Sequence, residues 1–570
     1  LGLTTMPTEF PEVALRGGLA RLLKGTSKEA LEAILPTFLT QRRWFGGKNR
    51  QIREVEIKEV IPVPVWDEVP EVASGTVWET SVHVTLLDVQ FLEADPEVYV
   101  LPLAVAQGAE ADRVLAELPQ AVVARLKGDA PGVLYDAMWD PAFCSAVLTA
   151  MARGESYQGT DGKLSAVALG NLAQELGDSG PAPVLGKGEQ SNTSVVFGDK
   201  YIMKVFRRAE SGVNPDLEIG RHLFEKQHFP HSPATVGFLE YRRRKGEPMT
   251  LATVQRLVAN QGTGWQYTLD ALGQYLEHVL STDGNVQTPP ELPASVADLI
   301  GQEVPPAARE AIGPYLESVR ILGQRTAEMH AALAGDPTDP AFAPEPFSPT
   351  YQRSVYQSMR SEAIRVLQTL NKRAKALPEQ SRELAQQVLA RQADILARFQ
   401  AVANTRMTGK RLRLHGDYHL GQVLWTGKDF VIIDFEGEPL RSITDRRNKR
   451  SVLRDVAGMV RSFHYAAYTA LLGRSVNHGA NKPVVRAEDF GRLETWCRYW
   501  YWWVGLTFVR SYRETAGASA FLPEAGPEFK TLTEAFILSK ALYELGYELG
   551  HRPDWVSIPL LGILDILKTP

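Results

Sequence analysis

Two neighbouring segments carry the residue types that phosphoryl transfer requires. The run Leu414-His415-Gly416-Asp417-Tyr418-His419-Leu420-Gly421-Gln422 sets a carboxylate, Asp417, in a polar, glycine-containing loop five residues ahead of the amide Gln422. The short apolar strand Val431–Ile433 then delivers a second carboxylate, Asp434, followed by Phe435 and Glu436. A hairpin-like return over that distance brings Asp417, Gln422 and Asp434 into one cleft. Transfer of a phosphoryl group from a nucleotide needs such a set. One carboxylate orients the attacking hydroxyl and accepts its proton, and oxygen ligands hold Mg²⁺. An isolated HGD reads more simply as a turn cap. The joint order and the five-residue step, as in H-R-D-x-x-x-x-N then D-F-G, favour catalysis.

A second group of residues fits the nucleotide. Gly186 to Ser194 form a small polar turn that includes Gln190, Ser191 and Asn192, and Tyr201–Phe206 is an apolar strand carrying Lys204. Ile202, Lys204 and Phe206 share one face of that strand, where a cation is costly unless it meets an anion such as a phosphate oxygen. Asn214 and Pro215 mark a helix start, and Glu218 in its first turns is placed to pair with Lys204, with Asp216 a competitor for that role. A plain edge-strand lysine is the alternative for Lys204 taken alone. The stretch Gln255 to Asn260 leaves the last strand-like run and enters helical sequence; at such a hinge the backbone around Gln255 and Leu257 would hold the adenine. The 186–194 turn lacks the G-x-G-x-x-G spacing and is weak on its own.

The acceptor side is read from a helix. Over Leu532–Leu549, Lys540, Tyr543, Glu544 and Tyr547 fall at spacings that share one face, while Ala541, Leu542, Leu545 and Leu549 lie opposite. Aromatic faces beside charged groups suit a sugar; a solvated face is the plainer reading. Arg552 and Trp555 lie close enough in sequence to join. Trp500-Tyr501-Trp502-Trp503 reads as helix core, and His415, His419 and His464 as hydrogen-bonded structural histidines, since no tight metal-ligand spacing is present.

The elements that must position these residues occupy 570 residues of average globular composition, 44% hydrophobic and 23% charged, with net charge −5. That mild acidity argues against nucleic acid or an anionic membrane as the main partner. Two distant cysteines exclude a disulfide scaffold and a cysteine-based zinc site. Leu1–Gly18 does not read as a signal peptide, and Trp496–Val509 is too short and is broken by Arg498. A soluble, cytoplasmic protein is expected; the initial Leu1 is equally compatible with a module of a longer polypeptide. Strand-like runs at Glu54–Val63, Ser81–Phe91 and Glu97–Val105, and again from Val184 to Leu257, precede long helical patterns at 315–334, 351–376, 380–404 and 490–512. The expectation is an α+β, two-lobe plan, with a boundary signal at Gly180-Pro181-Ala182-Pro183, a change to helical character after Thr263 and a proline-rich surface insertion at 280–307.

Several further segments make the chain similar to bacterial maltokinases, within the aminoglycoside-phosphotransferase-like branch of the eukaryotic-type kinase fold. They are Gln41-Arg42-Arg43-Trp44-Phe45-Gly46-Gly47-Lys48, Gly188 to Thr193, Asn214 to Gly220, His415 to Gln422, Asp434 to Pro439, Lys449 to Met459 and Arg552-Pro553-Asp554-Trp555. The resemblance implies a bilobal protein-kinase-like fold with a β-rich N-terminal cap, fitting residues 1–90, an intermediate subdomain at 91–180, a kinase N-lobe with hinge at 181–259 and a mostly helical C-lobe at 260–570. It also implies use of ATP and Mg²⁺ to phosphorylate maltose at the anomeric hydroxyl, giving maltose 1-phosphate for α-glucan synthesis. Trehalose synthase is the implied fused or associated partner. Gln422 stands where protein kinases carry Asn, as in maltokinase-like sequences, and the 280–307 insertion is longer than the family pattern. A kinase of glucosamine and a non-catalytic pseudokinase are the rivals; intact Lys204, Asp417 and Asp434 disfavour the second, and the absence of an acidic cluster disfavours an aminoglycoside acceptor.

Overall fold

The computed structural model describes residues 10–15, 17–65, 81–128, 131–177, 180–185, 192–281, 289, 302–439, 441–473, 490–523 and 526–568. The chain divides into two units, Leu1–Arg221 with Pro233–Val258, and His222–Ser232 with Ala259–Pro570. The first holds the large sheets and the second the long helices, in line with the α+β expectation.

The first unit is built on two seven-stranded sheets. One contains β1 (Glu12–Leu15), β2 (Ile52–Pro64), β3 (Ser81–Phe91), β4 (Glu97–Gln107), β5 (Val122–Gly128) and β6 (Gly132–Asp136), in the order β1-β5-β6-β4-β3-β2, with Arg208–Ala209 added against β4. The helix α1 (Gly25–Thr40) carries Leu31, Leu35 and Leu39 into the same apolar cluster. The three runs rich in valine predicted strands here, and β2, β3 and β4 occupy them. β3 and β4 pair from His83↔Leu103 to Val89↔Glu97, so a boundary at residue 90 falls inside a hydrogen-bonded hairpin.

The second sheet contains β7 (Gly162–Ala168), β8 (Asn192–Phe197), β9 (Tyr201–Phe206), β10 (Thr235–Arg243) and β11 (Met249–Arg256). They run in the order β7-β10-β11-β9-β8 between short edge strands at Ser156–Gln158 and Pro183–Leu185. Glu59 joins the two sheets. It occupies an inward position of β2, between Ile57 and Ile61, and is 1% exposed. Its carboxylate accepts from Tyr241 Oη at 2.5 Å and from the backbone N–H groups of Thr160 and Asp161 at 2.6 and 3.0 Å. A buried carboxylate is tolerated where its lone pairs are filled in this way. The short helix α2 (Pro215–Arg221) closes this part of the unit.

In the second unit the long helices are α3 (Tyr315–Leu333), α4 (Pro349–Arg373), α5 (Leu453–Leu471), α6 (Phe490–Ala516), α7 (Pro527–His551) and α8 (Ser557–Leu567). The pattern at 380–404 is two helices, Glu379–Ala390 and Gln392–Asn404, because Arg391 leaves helical geometry. The Trp500–Trp503 run is buried in α6, in line with its reading as helix core. A two-stranded hairpin, β12 (Val423–Trp425) with β13 (Phe430–Ile432), stands among the helices. Within the insertion, residues 282–288 and 290–301 lie outside the described residues, and Pro306–Ile312 is helical. Among the described residues, no helix is long and apolar enough to cross a membrane.

Candidate active site

The loop between Leu414 and β12 is held by its own backbone. The N–H groups of His415 and Gly416 donate to the two oxygens of Asp455 on α5, at 2.9 and 3.0 Å. Asp455 is 1% exposed and also accepts from His330 Nε2 at 3.2 Å. Burial opposes its charge, but His330 and the loop N–H groups hold its carboxyl below the usual range. Gly416 takes a positive φ of 86°, open to glycine. At Gly458 of α5 an added Cβ would stand 2.6 Å from the carbonyl of Tyr418, so only a glycine lets the helix lie this close to the loop.

The histidine tautomers follow from these contacts. His415 Nδ1 accepts the N–H of Asp417, leaving Nε2–H to donate to Ile433 O at 2.9 Å. His419 Nδ1 accepts the N–H of Gly421 at 3.0 Å, so its proton sits on Nε2, 3.9 Å from Asp417 Oδ2. Burial pushes its pKa down, with Lys540 and His415 adding to the effect. His464 departs from expectation. It is buried, neither ring nitrogen makes a hydrogen bond, and the acid beside it, Asp565, stands 4.0 Å away. Burial and the charges of Arg461 and Arg498 push it well down, so it is neutral and stacks on Tyr468 instead.

The hairpin return expected from the spacing is present. Ile433 N donates to Gln422 O across the base of β12 and β13, and Gln422 Nε2 donates to Asp434 Oδ2 at 2.8 Å. Asp434 is one of two described non-glycine residues at positive φ, at 66°. Such backbone costs on the order of 1–3 kcal/mol and persists where neighbours enforce it. An amide and a carboxylate side by side match what Mg²⁺ accepts from protein, one or two oxygen ligands with the remainder from water and phosphate.

Lys540 of α7 reaches this loop. Its Nζ lies 3.2 Å from Asp417 Oδ1 and 4.0 Å from Glu438 Oε1. Burial alone would lower its pKa, but Asp417 and Glu438 raise it and keep the ammonium charged. Tyr543 places its ring 4.7 Å from the same Nζ. Both residues line a cavity whose other walls come from α4, through Tyr351, Met359 and Glu362, and from Gly416, Arg441, Arg450 and Arg454. The remaining two members of the predicted face do not line it. Glu544 turns to the buried Arg461, at 2.6 and 3.2 Å from its guanidinium, and Tyr547 is 41% exposed and stacks on His551. A helical wheel places side chains on one face but not their partners, and Arg461, 0% exposed, needs the nearer carboxylate.

Glu438 was not singled out by the spacing argument. It is 4% exposed and meets Arg454 at 2.9 Å, Arg441 and Lys540. Burial resists its ionisation, but the charges of Arg454, Lys540 and Arg441 prevail and bring its pKa to about 2. Its sequence signal was its place in Asp434-Phe435-Glu436-Gly437-Glu438; Asp455 likewise lay in Leu453-Arg454-Asp455-Val456, with no partner visible.

In the first unit, Lys204 lies on β9 opposite Ser194 and Thr253. Its Nζ stands 3.8 Å from Asp216 Oδ2, so the competitor residue makes an ion pair with it. Asn214 caps α2 as expected, its Oδ1 accepting the N–H of Asp216 at 2.9 Å, and Glu218 on the same helix is half-buried. Asn192 begins β8 opposite Phe206, whereas Gln190 and Ser191 lie outside the described residues. Gln255 pairs within the sheet with Ile202 and Thr235. Leu257 donates its N–H to Lys200 O at 2.8 Å, so that donor is spent inside the unit and is not free for a base.

Two family models match parts of the chain. Residues 185–437 match the phosphotransferase enzyme family, and residues 38–140 match the maltokinase N-terminal cap domain, a span ending beyond the expected residue 90 and just after β6. A glucosamine kinase of Streptacidiphilus jiangxiensis is 24% identical over 396 residues, 68% of this chain and 75% of that protein. One of Mycolicibacterium smegmatis (strain ATCC 700084 / mc(2)155) is 26% identical over 386 residues, 66% and 78% of the two chains. Among solved structures, crystal form B of a glucosamine kinase aligns with a TM-score of 0.57 at 18% identity, over 93% of this chain and 97% of that one. A glucosamine kinase in complex with glucosamine, ADP and inorganic phosphate gives 0.53 at 19%, over 88% and 97%. At these identities the structural likeness shows the fold.

Proposed function

From the premise that this chain is a maltokinase-like kinase of the phosphotransferase fold, we propose that it transfers the γ-phosphoryl group of ATP to the anomeric hydroxyl of maltose. The observation that carries this reading is Lys540: the predicted sugar-facing helix delivers it to Asp417 at the wall of a cavity lined by aromatic and polar side chains. In this reading Asp417 orients the hydroxyl and accepts its proton. Asp434 and Gln422 would hold Mg²⁺, which when bound neutralises charge on the nucleotide phosphates. Lys204, oriented by Asp216 or Glu218, contacts those phosphates beside the turn containing Gln190, Ser191 and Asn192, and the hinge near Gln255 and Leu257 receives the adenine. Tyr543 and Lys540 face the sugar; Glu544 and Tyr547 serve it only if the helix surface beyond the cavity takes part.

One observation supports maltose as the acceptor: residues 38–140 match the maltokinase N-terminal cap domain. The cavity walls carry both signs, Arg441, Arg450, Arg454 and Lys540 beside Glu362, Glu438 and Asp455. Its product would feed α-glucan synthesis, with trehalose synthase as the fused or associated source of maltose. Glucosamine is the second reading, favoured by the names of the relatives. ADP release with Mg-ATP over maltose, glucose, glucosamine and trehalose tests both. Turnover of maltose above the others is expected; turnover of glucosamine alone would replace the acceptor, and none with any sugar would leave a nucleotide-binding module.

A further inference from the structure

Glu438 has no part in the reaction as described, yet its surroundings are unusually constrained. It is 4% exposed and meets three cations: Arg454 of α5, Arg441 three residues further along its own loop and Lys540 of α7. Of these, Lys540 also reaches Asp417. We propose that Glu438 is a positioning residue for phosphoryl transfer, fixing Lys540 so that its ammonium holds Oδ1 of Asp417 and leaves Oδ2 for the acceptor hydroxyl. This rests on the reading of Asp417 as the group that accepts the hydroxyl proton.

The physical argument concerns freedom of movement. A lysine head is a point charge on a flexible four-carbon stem, and one carboxylate partner leaves it free to swing around that partner. Asp417 accepts from the ammonium at 3.2 Å, and the charge of Glu438, 4.0 Å away, draws it from a second side and restricts that swing. Glu438 is itself immobilised by Arg441 and Arg454, so the constraint runs from α5 through Glu438 and Lys540 to one oxygen of Asp417. The other oxygen faces His419 Nε2 at 3.9 Å, beyond hydrogen-bond length, and keeps its lone pairs for a hydroxyl. As the new bond from the sugar oxygen to phosphorus forms and the bond to ADP breaks, the hydroxyl proton passes to Oδ2. Lys540 keeps its own proton throughout.

The test is a double-mutant cycle with Glu438→Gln and Lys540→Met, reading kcat and KM for maltose and Mg-ATP. Each single variant should lower kcat by at least about tenfold with KM for Mg-ATP within about twofold, and the double variant should be no slower than the slower single. Losses that multiply in the double variant, or an unchanged kcat in Glu438→Gln, overturn the proposal. Should Glu438→Gln fail to fold by near-ultraviolet circular dichroism, Glu438→Asp keeps the charge but withdraws it from Lys540 and enters the same cycle under the same criteria. Asp417→Asn assayed alongside separates the two claims. Full activity there removes the reading of Asp417 itself; loss there with multiplying losses in the cycle removes only the role of Glu438.

Discussion

Asp417 and Asp434 are close in sequence but answer to different neighbours. Asp417 meets a cation from a helix 123 residues away, whereas Asp434 meets Gln422 across a short hairpin. The second relation was legible from spacing, because a strand and turn of that length leave few alternatives; the first was not, since helical periodicity gives Lys540 a face and no partner. If Asp434 and Gln422 bind Mg²⁺, Asp434→Asn will remove most of the Mg²⁺-dependent increment in ATP affinity, seen by calorimetry with and without the metal. Equal increments in the two proteins would sink that assignment. Glu438 gives a prediction in pH. Its folded pKa of about 2 lies below the ordinary 4.5, so its stabilisation is present above about 4.5 and is lost as pH falls towards 2. The contribution is on the order of 3 kcal/mol at neutral pH. Urea unfolding of wild type and Glu438→Gln should therefore differ at pH 7 and converge near pH 2; a constant gap would contradict it.

At the scale of elements, α5 supports both the loop and the cavity. Asp455 fastens the backbone of His415 and Gly416, and one turn away Gly458 makes room for the carbonyl of Tyr418. Asp455→Asn keeps the shape but removes the charge facing His330 and replaces one acceptor with a donor. A loss of roughly 3–5 kcal/mol is expected, as for breaking a buried pair, read by chemical unfolding, with weakened turnover at temperatures where the variant remains folded. A stability within 1 kcal/mol of wild type would show that water or His330 alone carries the loop. The Leu453–Met459 segment was visible as part of a family pattern, but its use was not: a buried aspartate reads as an anomaly until the N–H groups it serves are seen. The same limit applies on α7, where the 0, 3, 4, 7 spacing was sound and Arg461 nonetheless claims Glu544.

Over the whole molecule, composition and alternation were enough for the class: sheets first, long helices after, and no membrane-crossing helix among the described residues. The internal division of the β-rich half was not readable, because β3 and β4 are one hairpin and nothing in Leu92 to Pro96 distinguishes a tight connection from a boundary. Nor was the seam between its two sheets, which depends on Glu59 of β2 meeting Tyr241 of β10. Glu59→Ala leaves the Tyr241 hydroxyl and the N–H groups of Val60, Thr160 and Asp161 without their acceptor and should cost about 2–5 kcal/mol. Tyr241→Phe, which leaves only one lone pair unfilled, should cost far less, and equal losses from the two in thermal unfolding would argue against a shared seam.

The chain passes from the first unit to the second at Arg221, returns at Pro233 and leaves again at Val258. The strip His222–Ser232 thus belongs with the helices: His231 O accepts the N–H of Ile432, and His222 lies against Ala332 O. Neither unit is a single stretch of gene. A reading frame broken after Val258 would encode a first product carrying a strip that packs with the second, and a second product missing it. A cut that keeps each unit whole therefore cannot be made at one point of the chain, and fusions that leave both intact belong at its ends rather than at the seam that a linear map of two domains would suggest.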